Sequence, residues 1–185
     1  MFIQTEATPN PATLKFLPGR EVLGDGAMDF PNVDTATPSP LAQRLFGVPG
    51  VTGVFLGPDF ITVTKDDGEW ANMKPMVLGA IMEHFTSGTP VLADAHAAEE
   101  SAHAEYDGED EEIVAQIKDL LDTRVRPAVA QDGGDIVFHG YKSGTVFLHM
   151  RGACAGCPSA TMTLKNGIEN LLRHYIPEVE LVESV

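Results

Sequence analysis

The chain has 185 residues, 43% of them hydrophobic, and a formal net charge of −15. That length accommodates one medium domain or two small ones, and the hydrophobic fraction belongs to a chain that buries a core rather than to a disordered one. The charge argues against nucleic acid and anionic membranes as partners, since both need a cationic surface, and no apolar run approaches the roughly 18 residues that cross a bilayer.

The opening stretch, MFIQTEATPNP, lacks the basic and apolar regions of a secretory signal and the Arg-rich, acid-poor character of a transit peptide. The expected compartment is a bacterial cytoplasm, with a mitochondrial or plastid matrix as the alternative if a presequence was removed. Strands are predicted at Phe2–Ala7 and Thr13–Leu17, joined by the breaker-rich turn Thr8-Pro9-Asn10-Pro11. Ser39 and Pro40 read as the cap and first turn of a short helix carrying Leu41, Leu45 and Phe46. Val51–Leu56 and Phe60–Thr64 form a predicted hairpin around Gly57-Pro58-Asp59. Met73, Met76, Val77, Ala80, Ile81, His84 and Phe85 then fall at helical spacing, and Gly88 ends that helix. Residues 1–92 thus read as a self-contained α+β domain with no cysteine and one histidine, His84, expected in its core or at the core boundary.

Residues 93–110 carry seven acidic and no basic side chains, −7 against −5 for residues 1–92 and −3 for residues 111–185. Such a segment buries little apolar surface and repels itself, so it reads as a flexible acidic linker, with His96 and His103 as solvated linker residues.

The pattern then restarts over residues 111–185. Ile113, Ile117, Leu120, Leu121 and Val125 line one face of a helix that Pro127 should stop. The turn Asp132-Gly133-Gly134-Asp135 leads into strands at Ile136–Tyr141 and Thr145–Met150. A helix with Leu164, Ile168, Leu171, Leu172 and Tyr175 on one face follows Pro158, and Val179–Val182 is the last strand. The order α-β-β-α-β argues for a small sheet covered by helices. The whole chain is therefore expected to be α+β, two small domains joined by a linker.

The two cysteines, Cys154 and Cys157, are separated by two residues. Two cysteines in a chain of this length make no disulfide framework, and their spacing favours metal or redox chemistry in a reducing compartment. They fall in a glycine-bearing turn before a helix whose first turn suits Pro158, so helix dipole and free N–H groups should favour thiolate. Gly152 and Gly156 permit close backbone approach, and Arg151 adds a nearby positive charge. Three chemistries fit: thiol–disulfide exchange, a zinc site and an iron–sulfur cluster. Zinc and cluster sites ordinarily take four protein ligands, and one chain offers two thiolates, so a symmetric pair of chains completes either. A site made of two halves also opens easily, which suits a carrier. His149, five residues before Cys154, reads as a structural strand residue rather than a ligand. Asp132 and Asp135 read as turn residues with an Asx-type bond, not as a catalytic carboxylate pair.

Arg126-Pro127, Asp132-Gly133-Gly134-Asp135 and the run Gly152-Ala153-Cys154-Ala155-Gly156-Cys157-Pro158-Ser159 resemble the C-terminal domain of NifU, the Nfu-type domain. The first half resembles the N-terminal Nfu domain through Gln4–Pro11, Lys15-Phe16, Ser39–Ala42 and Asp59–Lys65. The resemblance implies a scaffold or carrier of iron–sulfur assembly, not an enzyme. It implies a labile 4Fe-4S cluster, with 2Fe-2S as the alternative, bound by Cys154 and Cys157 of each subunit in a homodimer. It further implies upstream cluster-assembly proteins as donors, apo iron–sulfur proteins as clients, and client recognition by the N-terminal domain.

Overall fold

The computed structural model describes residues 1–24, 26–93, 110–155 and 158–185. The chain divides into two compact units, residues 1–100 and 101–185. Most of the predicted linker, with His96 and His103, lies outside the described residues.

In the first unit, strands β1 (Gln4–Ala7), β2 (Thr13–Leu17), β3 (Met28–Phe30), β4 (Val51–Leu56) and β5 (Ile61–Lys65) form one antiparallel sheet in the order β1-β2-β5-β4-β3. Register places Phe16, Ile61 and Leu56 in one row across the sheet, and all three are fully buried. Helices α1 (Pro40–Phe46) and α2 (Trp70–Ser87) supply Leu41, Leu45, Val77 and Ile81 to the same core. On α2 the buried positions are Met73, Val77, Ile81 and His84, a narrower stripe than the periodicity suggests, while Met76 stays 43% exposed. Gly88 ends α2 in the left-handed conformation (φ 71°), as its position after the last apolar residue predicts.

His84 is wholly buried, edge-on to the Phe85 ring at 5.5 Å, with neither ring nitrogen in hydrogen-bond geometry. Burial, with the Arg44 charge second, holds it below the ordinary histidine range, so it is a neutral core residue. Ser39 caps α1 as expected: its hydroxyl accepts the Ala42 N–H at 3.1 Å and donates to the Val91 carbonyl at 2.7 Å. Both groups lose their partner in Ser39→Ala, which should cost about 1–2 kcal/mol. Urea unfolding followed by Trp70, the single tryptophan, reads this; an unmoved midpoint would show that the cap is not stabilising.

The second unit begins with α3 (Glu111–Leu120), passes through a π-helical turn at Leu121–Val125, and continues into α4 (Arg126–Gln131). Pro127 therefore does not stop the helix. It occupies the first turn of α4, where its missing N–H has no partner to lose, after the wider turn has broken the regular bonding. Strands β6 (Gly134–Lys142) and β7 (Thr145–Gly152) form an antiparallel hairpin. Helix α5 (Pro158–Tyr175) then crosses over to β8 (Leu181–Ser184), which pairs parallel with β7. The observed order is the predicted α-β-β-α-β. Val114, Ile117, Leu121, Ile136, Leu148, Ile168, Leu172 and Val182 close the core. Tyr175 is not among them: it is 46% exposed and stacks under the Arg124 guanidinium at 5.1 Å.

Candidate functional site: the cysteine turn

The turn carrying Cys154 is built by glycines at the open end of the β6–β7 hairpin. Gly134 faces Gly152 as the last pair of the ladder. Gly133 (φ 79°) and Gly152 (φ 66°) both take the left-handed conformation that β-carbons disfavour, one entering the hairpin and one leaving it. The Ala153 N–H donates to the Gly133 carbonyl at 3.2 Å, and the Ala155 N–H closes back onto the Gly152 carbonyl at 3.1 Å. From the far side, the Thr161 hydroxyl on α5 donates to the Cys154 carbonyl at 2.8 Å.

The hairpin has no room to spare at this point. A β-carbon on Gly134 would lie 2.6 Å from Cys154 Sγ, 2.8 Å from the Arg151 carbonyl oxygen and 3.1 Å from the Cys154 nitrogen. Gly134 is thus glycine for space, and its absence of a side chain is what lets the cysteine sulfur sit against the strand.

Asp135 lies on the other side of this contact. Its Cα is opposite that of Arg151 in the ladder, yet both carboxylate oxygens are taken by Arg126, at 2.9 Å from Nε and 3.1 Å from Nη2. A second acid, Asp122, accepts from Arg126 Nη1 at 3.2 Å. The expectation of a turn with an Asx-type bond at this acid is therefore corrected: Asp135 is 6% exposed and its role is a bidentate ion pair tying α4 to the start of β6.

The protonation of Cys154 also differs from expectation. The residue is 7% exposed within the core of the second unit. Burial pushes its thiol up to about 12, with Asp132 and then Asp135 adding to the effect. Desolvation and two nearby carboxylates outweigh the dipole of α5, which begins four residues further on. A pH dependence follows. Below the ordinary thiol value of 9.0 the folded and unfolded chains both hold the proton. Between that value and about 12 the unfolded chain releases it while the folded chain keeps it, so stability falls as pH rises, by up to about 1.4 kcal/mol per pH unit. Urea midpoints across that range, compared with Cys154→Ser, isolate the effect; parallel curves would contradict it.

Cys157 and Gly156 lie outside the described residues. Among the described residues no three of His, Cys, Asp or Glu come together as a metal-holding group. His149 is an exposed strand residue whose Nδ1 is 3.0 Å from the Val185 carbonyl oxygen. Sequence reasoning missed Thr161, and it took Arg126 only as part of the family resemblance, missing its pairing with Asp135. Thr161 has no motif to mark it, whereas the Arg126 pairing could have been found from a cation nine residues from an acid in a glycine turn.

The family description "Scaffold protein Nfu/NifU N terminal" matches residues 3–88, and "NifU-like domain" matches residues 117–183. The chain is 57% identical over 187 aligned residues to a Drosophila erecta protein named "NFU1 iron-sulfur cluster scaffold homolog, mitochondrial", and 58% identical to its Drosophila sechellia counterpart. All of this chain aligns in both cases, and it spans 65% of the length of each relative. A solution structure of a NifU-like protein from Saccharomyces cerevisiae is 31% identical, with a TM-score of 0.46, over 51% of this chain and 86% of that one. With a family match on each half and similarity to these relatives along the whole of this chain, the chain belongs to the Nfu family, joining an Nfu/NifU N-terminal domain to a NifU-like domain.

Proposed function

We propose that the chain is an iron–sulfur cluster scaffold and carrier that holds a labile 4Fe-4S cluster between the Cys154–Cys157 pairs of two copies and passes it to apo-proteins. The observation that carries this reading is the seat of Cys154: a sulfur packed against Gly134 at the mouth of a hairpin, in a NifU-like domain whose chain has one other thiol, Cys157. Two thiolates are half of a cluster's usual ligand set, and a two-fold axis supplies the rest. The donor set fits the cargo, because soft sulfur ligands select iron–sulfur clusters. On binding iron, Cys154 gives up its proton.

Delivery in this reading is ligand exchange. Thiolates of the client replace Cys154 and Cys157 at the axis, and the carrier ends covalently unchanged, so the chain is not an enzyme. Residues 1–92 would recognise the client, and the acidic segment 93–110 would raise the client's effective concentration at the cluster. The mitochondrial naming of the Drosophila relatives favours an organellar matrix over the cytoplasmic expectation.

Anaerobic reconstitution with iron and sulfide tests the reading. About two iron and two sulfide per chain, a Mössbauer signature of a four-iron cluster and loss of both in Cys154→Ser support it. Zinc retention without iron uptake, or a disulfide that turns over with a thiol reductant, would overturn it.

A further inference from the structure

We propose that Thr161 is a positioning residue for the cluster grip: its hydrogen bond to the Cys154 carbonyl sets how readily the cysteine turn opens and how fast cargo leaves. The inference rests on the reading of Cys154 as a cluster ligand.

Among the described residues, three hydrogen bonds hold the peptide bonds around Cys154. Two of them, Ala153 to Gly133 and Ala155 to Gly152, are backbone bonds that hold the turn to its own hairpin. The third is the Thr161 hydroxyl, which reaches back seven residues to the Cys154 carbonyl at 2.8 Å. It is the only one of the three that ties the turn to a different element. A threonine near a helix start more often bonds within its own helix. Here the hydroxyl is spent on the residue that carries the sulfur. Its mounting is stiff at both ends: the side chain is β-branched, and α5 is locked down by Ile168 and Leu172, both buried in the core.

The consequence is local. Without the hydroxyl, the Ala153 and Ala155 N–H groups keep their bonds to the hairpin while the Cys154 carbonyl loses its bond to Thr161, and the peptide at Cys154 loosens while the core stays closed. Openings of this kind are governed by the few bonds they break rather than by global stability. One hydrogen bond of ordinary net strength corresponds to about a fivefold change in the opening equilibrium.

The test uses the full chain. In the metal-free form, Cys154 is labelled with iodoacetamide in a Cys157→Ser background; in the reconstituted form, with both cysteines present, iron loss to a chelator is timed. Thr161→Val should accelerate both processes about fivefold, and Thr161→Ser, which keeps the donor, should stay within about twofold of the parent. Leu171→Ala weakens the same core from the same helix without touching the turn, and should leave labelling unchanged. Equal rates in the valine variant and the parent would overturn the proposal, as would equal acceleration by Leu171→Ala. If labelling follows the expected pattern but no chain, parent included, takes up iron, the clamp on the thiol stands and the cluster reading is what fails.

Discussion

Gly134→Ala is expected to abolish iron uptake and to destabilise the second unit by about 1–3 kcal/mol. The added methyl would meet Cys154 Sγ at 2.6 Å, the Arg151 carbonyl oxygen at 2.8 Å and the Cys154 nitrogen at 3.1 Å. Two of these three are backbone atoms of the ladder and turn, which cannot rotate away as the tip of a flexible side chain could. The third is the sulfur itself. Relief therefore comes only by pushing the cysteine turn off the hairpin, a displacement that would move Cys154 out of the proposed cluster seat. Gly167→Ala is the informative contrast. Gly167 lies within α5, where a β-carbon would meet nothing within 4 Å, so alanine should stabilise the helix by up to about 1 kcal/mol. Far-UV circular dichroism with iron analysis separates the two. Trp70 fluorescence, which reports the first unit, should not respond to either. Full iron uptake by the Gly134 variant would remove the packing argument for the site.

Arg126→Gln is expected to lower the stability of the second unit by about 2–3 kcal/mol. An ion pair between exposed groups would contribute at most about 1 kcal/mol. This pair is asymmetric: the Arg126 side chain is 41% exposed, whereas that of Asp135 is only 9% exposed. The loss lies on the acid, which would remain buried beside the cysteine turn with two unbonded oxygens. Arg126→Lys should fall between, because an ammonium cannot reproduce the two-pronged contact to Oδ1 and Oδ2. Asp135→Asn should cost less than Arg126→Gln, since it removes the buried charge along with the pair. Chemical unfolding followed by circular dichroism orders the three, and a glutamine variant within about 0.5 kcal/mol of the parent would contradict the assignment.

Much of this arrangement is legible in the sequence because its signals are local. Ser39-Pro40 caps α1, Gly88 ends α2, and the α-β-β-α-β order of the second unit follows from alternating periodicities. Short elements without a period escape such reading. Strand β3 has three residues and is held by pairing with β4, a long-range contact that its own sequence does not announce. The helix predicted to stop at Pro127 continues because a π-helical turn rearranges the bonding ahead of it, a tertiary accommodation invisible to a proline rule. At the site, the cysteine spacing and glycines are visible, but the charge state is not. Helix-dipole reasoning favours a thiolate, whereas burial and the carboxylates of Asp132 and Asp135 keep Cys154 protonated. Those carboxylates are distant from Cys154 in sequence; the pairing of Gly134 with Gly152 at the end of the β6–β7 ladder brings the segment that carries them to the cysteine turn.

In the proposed reading, one chain holds half a site. Native mass spectrometry of the anaerobically reconstituted chain tests it most directly. Two chains carrying a single cluster of about four iron and four sulfide are expected, and no such species from Cys154→Ser. A cluster carried stably by a single chain, or a loaded dimer that survives Cys154→Ser, would contradict it.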